Sequence, residues 1–361
     1  MTLNEILAQF ALAGSIDKIS PYGCGHINGT YLAECSDSDK KYILQRINTS
    51  VFKNPDALME NICKVTDYLD KNGREIYREV LHVIPTCDGR KYYTCEDGIY
   101  RVYDFIENTL TVQTVTDAGE MRRSGEAFGS FVRCLDGFPA DILHETIPHF
   151  HDTPKRYEAF EAAVAEDICD RAKDCAEEIA FVRTHKNVMA TLTDALARGE
   201  VPLRVTHNDT KLNNVLLDPD TLRPVAVIDL DTVMPGLSLY DFGDSIRAGT
   251  NPVAEDEKDV SLVDCNLEYF RAYTEGYLSA CGHMLTPKEV ELLPMSGILM
   301  TLECGMRFLT DYLSGDTYFH TVRAGQNLDR CRTQFKLVAD MEKNYGVLTN
   351  IVSDIMRGIK E

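Results

Sequence analysis

The rhythm of apolar and polar positions changes several times along the first hundred residues, and each change predicts a different element. MTLNEILAQFALAG reads as an amphipathic helix, with Glu5 where a secretion signal would carry basic residues. Residues 17 to 47 are rich in β-branched and aromatic side chains and are broken by Gly23, Gly25 and Gly29, the pattern of several antiparallel strands with a glycine-marked turn. Leu58, Ile62, Val65 and Leu69 then recur at helical spacing behind Asn54 and Pro55, a cap and first-turn pair. Segments 91 to 95 and 99 to 106 return to strand-like composition, with Asp97 and Gly98 between them as a hairpin signal.

From about residue 115 the pattern is mainly helical. Phe128, Phe131, Leu135 and Phe138 form one apolar stripe, and Thr153 before Pro154 opens a helical stretch toward 198. Between 203 and 232 the runs LRVTH, NVLLD and VAVIDLD are short, apolar and separated by polar loops; helices resume from about 240. No internal repeat or low-complexity tract is present. The expected fold is α+β: a small β-rich N-terminal lobe, residues 1–106, and a larger, mainly helical lobe, residues 107–361, carrying a short β insertion.

Composition narrows the classes of partner. The chain has 361 residues, 44% of them hydrophobic, enough to bury a sizeable core. Its net charge of -20 argues against nucleic acid and anionic membranes as general partners, so a bound phosphate has to be met by local donors or a metal. Twelve Cys without a CxxC pair point to reduced thiols in a cytoplasm, and no run of about 18 apolar residues suggests a membrane span.

Candidate chemistry concentrates in VTHNDTKLNNVLLDPDTLRPVAVIDLDT, residues 205 to 232. Phosphoryl transfer from ATP needs a carboxylate to orient and deprotonate the acceptor hydroxyl, and hard cations to neutralise the triphosphate. Asp209 is the candidate base; Asn214, five residues on, and Asp229 are oxygen donors suited to Mg2+, with Asp231 assisting a second ion. If VAVIDLD is a strand to its end, Asp229 and Asp231 share one face while Ile228 and Leu230 pack the other way. An ordinary polar turn explains His207, Asn208, Asp209 or Asn213 taken singly. The whole H-x-D-x-x-x-x-N pattern followed by I-D-x-D points to a kinase.

HNDTKLNN and VIDLD resemble the catalytic loop and metal-binding strand of the aminoglycoside phosphotransferase and choline kinase superfamily, relatives of protein kinases. PYGCGHINGTYL, YILQRIN, IDLDTVMPG, DFGDSIR, FRAYTEGY and ECGMRFLTDYL are similar to N-acetylhexosamine 1-kinases, a likeness that runs through nearly the whole chain. The resemblance implies a protein-kinase-like two-lobed fold and transfer of the ATP γ-phosphate to the anomeric hydroxyl of N-acetylglucosamine or N-acetylgalactosamine, with Asp209 against the anomeric oxygen.

The same resemblance assigns further roles. PYGCGHINGT is similar to a shortened glycine-rich loop in which Gly23 and Gly25 admit the phosphates, with His26 and Asn28 as sugar or phosphate contacts. YILQRIN places Gln45 where protein kinases carry a phosphate-pairing lysine; Arg46 faces the other side of the strand, which leaves a pairing with Glu60 in doubt. YRVYDFIENT is the expected hinge, with backbone groups of Asp104, Phe105 and Ile106 on adenine and an edge strand as the alternative. DFGD at 241 to 244 falls where a helix begins, so Asp241 is expected to accept backbone amides near the catalytic loop, with Asp244 and Arg247 in support. Arg307, a cation on the apolar helix ECGMRFL, is expected to reach sugar hydroxyls, with Tyr318 nearby.

Rival acceptors stay open. Choline recognition favours an aromatic cage, for which tryptophan is best, and the chain has no Trp. Homoserine would turn Arg307 into a carboxylate clamp, an aminoglycoside would suit the acidic balance, and an inactive kinase-like binding module is the alternative outside enzymes.

Overall fold

A computed structural model describes residues 1–23 and 28–360. The chain divides into two compact units, the first made of Met1–Leu110, Ile142–Ile147 and Leu216–Met234 and the second of Thr111–Asp141, Pro148–Val215 and Pro235–Glu361. The first is a small antiparallel sheet with one long helix; the second is larger and helical.

The first unit opens with α1 (Leu3–Leu7), shorter than the apolar pattern suggests, closed by a capping box in which Thr2 and Glu5 satisfy each other's backbone amides. Strands β1 (Ile16–Pro21), β2 (Gly29–Cys35) and β3 (Lys41–Ile47) follow as expected. Next come α2 (Pro55–Asn72), β4 (Val83–Ile84), β5 (Tyr93–Cys95) and β6 (Gly98–Asp104). Asn54 caps α2 by accepting from the Ala57 amide at 3.1 Å. The sheet order is β1-β2-β3-β6-β4, with β5 also on β6. In that register Gln45 of β3 stands opposite Arg101 of β6. The other face carries an apolar cluster of Ile6, Leu7, Phe10, Leu44, Tyr100 and Val102.

In the second unit α3 (Ala118–Cys134) buries Phe128 and Phe131 as the stripe predicts. The stretch from 153 toward 198 is not one helix. It breaks into α4 (Thr153–Glu166), α5 (Ala176–Thr184) and α6 (Thr191–Ala197). Asp152, not Thr153, is the cap of α4, and Asp167 ends it in the left-handed region, φ 37°. Short strands β7 (Arg204–Thr206) and β10 (Met234–Gly236) form one ribbon; β8 (Val215–Leu217) and β9 (Pro224–Val227), which fall almost wholly in the first unit, form another. Helices α7 (Ser238–Gly249), α8 (Leu267–Cys281), α9 (Pro287–Leu313), α10 (Gln326–Lys343) and α11 (Tyr345–Lys360) complete the chain.

Helix α9 is long and apolar enough to cross a membrane by length and composition, yet most of it is buried inside this protein core. Its buried Leu299, Leu302, Met306 and Leu309 belong to the core cluster shared with α7, α8 and α10. The tightest approach is between α3 and α8. A Cβ on Gly125 would lie 2.2 Å from the Tyr273 carbonyl, and one on Gly276 2.0 Å from the Arg122 carbonyl, so the two backbones touch where only glycine fits.

Candidate active site

Strand β7 delivers the chain into the loop His207–Thr210, and two carboxylates of α7 hold that loop from behind. Asp241 accepts the backbone N–H of His207 at 2.9 Å and of Asn208 at 2.8 Å, one with each oxygen. Asp244 accepts the Thr210 N–H at 2.9 Å, while the Thr210 hydroxyl donates to the Asp241 carbonyl at 2.7 Å. The DFGD segment therefore anchors the loop, as its place at a helix start suggests. His207 is fully buried, edge-on to Phe128 at 5.6 Å and Phe131 at 5.8 Å. Asn208 takes φ 63°, a left-handed bend that asparagine tolerates.

With its backbone fixed, the loop presents Asp209, whose carboxylate is a quarter exposed and lies 2.8 Å from Lys211 Nζ. That carboxylate holds the Lys211 ammonium above its ordinary pKa against the opposing effect of burial. The Asn214 amide donates to the Asp209 carbonyl at 2.8 Å. Its nitrogen is thus spent inward, and its oxygen is the atom left to meet a cation.

In the first unit the geometry around Asp229 departs from expectation. Strand β9 ends at Val227, Asp229 adopts φ 60° and ψ 53°, and residues 230 to 232 form a single 3-10 turn. Strand alternation therefore does not govern Asp229 and Asp231: the chain bends at Asp229, a residue type that accepts the left-handed region, and then buries both Leu230 and Asp231.

The second metal role proposed for Asp231 also meets a competing partner. Asp231 Oδ1 lies 2.5 Å from Arg101 Nη2, and Oδ2 accepts from the Asn28 amide at 2.5 Å. The Arg101 contact is a close ion pair without hydrogen-bond alignment, since Oδ1 has no hydrogen-bond partner. Asn28 is committed at its other end too, accepting the Asn48 N–H at 2.9 Å, so it braces the first unit where a ligand contact was expected. Gln45 Oε1 accepts from Arg101 Nε at 3.0 Å and Nη2 at 2.8 Å, and its amide donates to Thr30 at 3.1 Å. Arg46 points outward, and Glu60 forms exposed pairs with Lys64 at 2.6 Å and His144 at 2.7 Å. Gly23 has φ 77°, and no atom within 4 Å would meet a Cβ there. Gly25 and His26 lie outside the described residues.

Of the expected adenine-binding stretch, the Asp104 N–H donates to the His82 carbonyl and the Phe105 N–H to the Lys41 carbonyl, each at 3.1 Å. Ile106 is the one remaining amide of the three that can serve a ligand. A recess of about 450 Å³ is lined by these three residues with Arg78, Val80 and His82 among others. Arg78 ties the stretch down by donating to the Asn108 carbonyl at 3.1 Å and pairing with Asp218 at 2.6 Å.

Arg307 lies among Phe150, Tyr318 and Phe319, with its guanidinium carbon 5.1, 5.8 and 5.5 Å from the ring centres. Burial works to lower its pKa, but Tyr318, Cys304 and Glu303 nearby leave it raised. One turn earlier on α9, buried Glu303 pairs with His151 at 2.7 Å and accepts from Thr153 at 2.6 Å.

Taken singly, the Asn214 carboxamide oxygen in the second unit and the Asp229 carboxylate in the first are hard donors of the kind magnesium accepts. Among the described residues no cluster of three His, Cys, Asp or Glu would hold a metal by itself.

Sequence reasoning missed Arg101, Lys211, His151 and Glu303. A lone cation inside the strand YRVYD was the one signal for Arg101, and Lys211 stood in plain view two residues from Asp209; His151 and Glu303 become visible only when distant segments meet.

This fold, with an anchored H-x-D loop, defines a kinase-like phosphotransferase. Residues 18–281 match the model of the phosphotransferase enzyme family, and the chain belongs to that family. Among solved structures it is similar to a microcompartment-associated aminopropanol kinase, with 17% identity, TM-score 0.63 and 96% of this chain and 98% of that one covered. A spectinomycin phosphotransferase solved with ADP and its antibiotic gives 14%, 0.58, 99% and 97%. A choline kinase from Streptococcus pneumoniae gives 15%, 0.53, 90% and 94%.

Proposed function

We propose that this protein transfers the γ-phosphate of ATP to the anomeric hydroxyl of an N-acetylhexosamine, releasing the sugar 1-phosphate. The observation that carries phosphoryl transfer is the loop at Asp209, whose peptide groups are fixed by Asp241 and Asp244 while its carboxylate stays accessible. In this role Asp209 orients the acceptor hydroxyl and takes its proton as the oxygen attacks phosphorus. Lys211 pairs with that carboxylate at 2.8 Å. Asn214 and Asp229 are the residues that would each offer an oxygen to magnesium, which would supply neutralisation of the triphosphate charge. The Ile106 amide is the donor offered to adenine.

The choice of acceptor is supported by Arg307. A set of rings able to hold a quaternary ammonium already encloses this internal guanidinium, which disfavours choline and leaves Arg307 donors for hydroxyl or acetamido oxygens. Tyr318, half-exposed beside it, is the companion contact. A cytoplasmic setting, where ATP is available, suits the eleven free cysteines of the described residues.

Incubation with ATP and magnesium against N-acetylglucosamine, N-acetylgalactosamine, choline, homoserine and kanamycin, read by phosphorus NMR, tests the reading. A hexosamine 1-phosphate signal is expected. Phosphate appearing on choline, homoserine or kanamycin alone overturns the acceptor, and no transfer to any of them favours a binding module.

A further inference from the structure

We propose that Arg101 of β6 is a positioning cation of the first unit, which holds the turn after β9 and with it the backbone of Asp229, a duty separate from the phosphate pairing that a lysine at the Gln45 position performs in protein kinases. The inference rests on the kinase reading above and adds a residue with no place in that lysine-based scheme.

The argument begins with register. Gln45 and Arg101 are direct cross-strand partners, and residues opposite each other in an antiparallel pair project from the same face. Arg101 is 1% exposed, so its guanidinium cannot be a solubilising surface group. Burying it is costly unless its donors are met. Gln45 accepts two of its N–H groups, and Asp231 balances its charge as an ion pair at 2.5 Å. Met59 Sδ of α2 lies 3.9 Å from Nη1. The guanidinium is also 5.1 Å from the Tyr103 ring, two residues along the same face.

What this arrangement fixes is the turn after β9. Arg101 and Asn28 grip the two oxygens of Asp231, two residues beyond the left-handed bend at Asp229. A bend of that kind is a sparsely populated conformation that persists when its surroundings over-determine it. Arg101 acts through Asp231 to hold Asp229 in the conformation that presents its carboxylate. Glutamine at 45 fits this scheme better than lysine, because a second cation there would repel Arg101 and remove the acceptor that orients it.

The test uses the full chain with Arg101→Met, Arg101→Lys and the double variant Arg101→Met/Asp231→Asn. Removing both members of a buried pair avoids leaving one charge stranded, so the double variant guards against a single that fails to fold. Thermal unfolding establishes folding, and binding of a fluorescent N-methylanthraniloyl-ADP is titrated with and without magnesium. For the folded double variant, the magnesium concentration that half-saturates nucleotide binding should rise about tenfold or more, with metal-free nucleotide affinity changed less than about threefold. Arg101→Lys should fall between, because a single ammonium cannot serve Gln45 and Asp231 together. A folded double variant with wild-type magnesium dependence overturns the proposal and leaves Arg101 a packing residue. A wild-type protein that binds no nucleotide overturns the kinase reading itself, a result separable from any difference among variants.

Discussion

Asp241 Oδ2 accepts the backbone N–H of His207 at 2.9 Å, while its other oxygen takes the next N–H along the chain. Two peptide groups of the His207–Thr210 loop thus hang on one buried carboxylate, and both acceptors are needed to hold them. Burial pushes that carboxyl up to about 6, with His207 nearby and the two amides opposing the shift.

The consequence for pH has two opposite signs. An unfolded aspartate titrates near about 3.9, so in the window up to 6 the folded chain holds the proton more firmly, and the Asp241 contribution to stability declines as pH rises through it. Turnover should run the other way, falling as pH drops below about 6, because a protonated carboxyl can no longer accept at both oxygens. Measuring kcat and the unfolding midpoint between about pH 5 and 8 checks both. A flat kcat through this range in folded protein removes the anchor from the rate.

Asp209→Asn keeps shape and removes basicity. Turnover should fall by about 100-fold or more while nucleotide affinity stays within about twofold, measured by coupled assay and by nucleotide titration. Near-wild-type turnover would move the base elsewhere.

At Asp229 the informative change is to asparagine, not alanine. The left-handed backbone there costs most residues about 1–2 kcal/mol, and asparagine tolerates it. Asp229→Asn should raise the half-saturating magnesium concentration with little loss of thermal stability, whereas Asp229→Ala should lose both. Equal magnesium titrations for wild type and Asp229→Asn would exclude the carboxylate as a ligand.

Glu303 is buried against His151 and Thr153. Burial acts to raise its pKa, yet His151 and its hydrogen bonds hold it below the usual carboxylate value. A depressed carboxylate stabilises above its unfolded pKa and loses that contribution as pH falls through the folded one. Glu303→Ala strands the imidazole and should cost about 3–5 kcal/mol in chemical denaturation. A loss below about 1 kcal/mol would show the pair to be replaceable by water.

The alternation of 17 to 47, the Asn54-Pro55 start and the H-x-D-x-x-x-x-N run were legible because each is a local pattern whose meaning depends on neighbouring residues. The anchoring role of Asp241 was legible for the same reason: acidic side chains at a helix start suit backbone amides. Asp229 was misread as strand because VAVIDLD continues its apolar alternation past Val227, and nothing local announces a left-handed bend at an aspartate. The protein partners of Asn28, Asp231 and Arg101 went unseen for a different reason. They lie 203, 130 and 56 positions away, separations that no periodicity encodes.

The contact at Gly125 and Gly276 bears on how the loop floor moves. Two helices whose main chains touch have no layer of side chains to act as a bearing, so α3 and α8 translate and rotate as one girder. Phe128 and Phe131 on that girder form the bed of His207, and a methyl group added at Gly125 would therefore tilt the seat of the loop as well as weaken the helix pair.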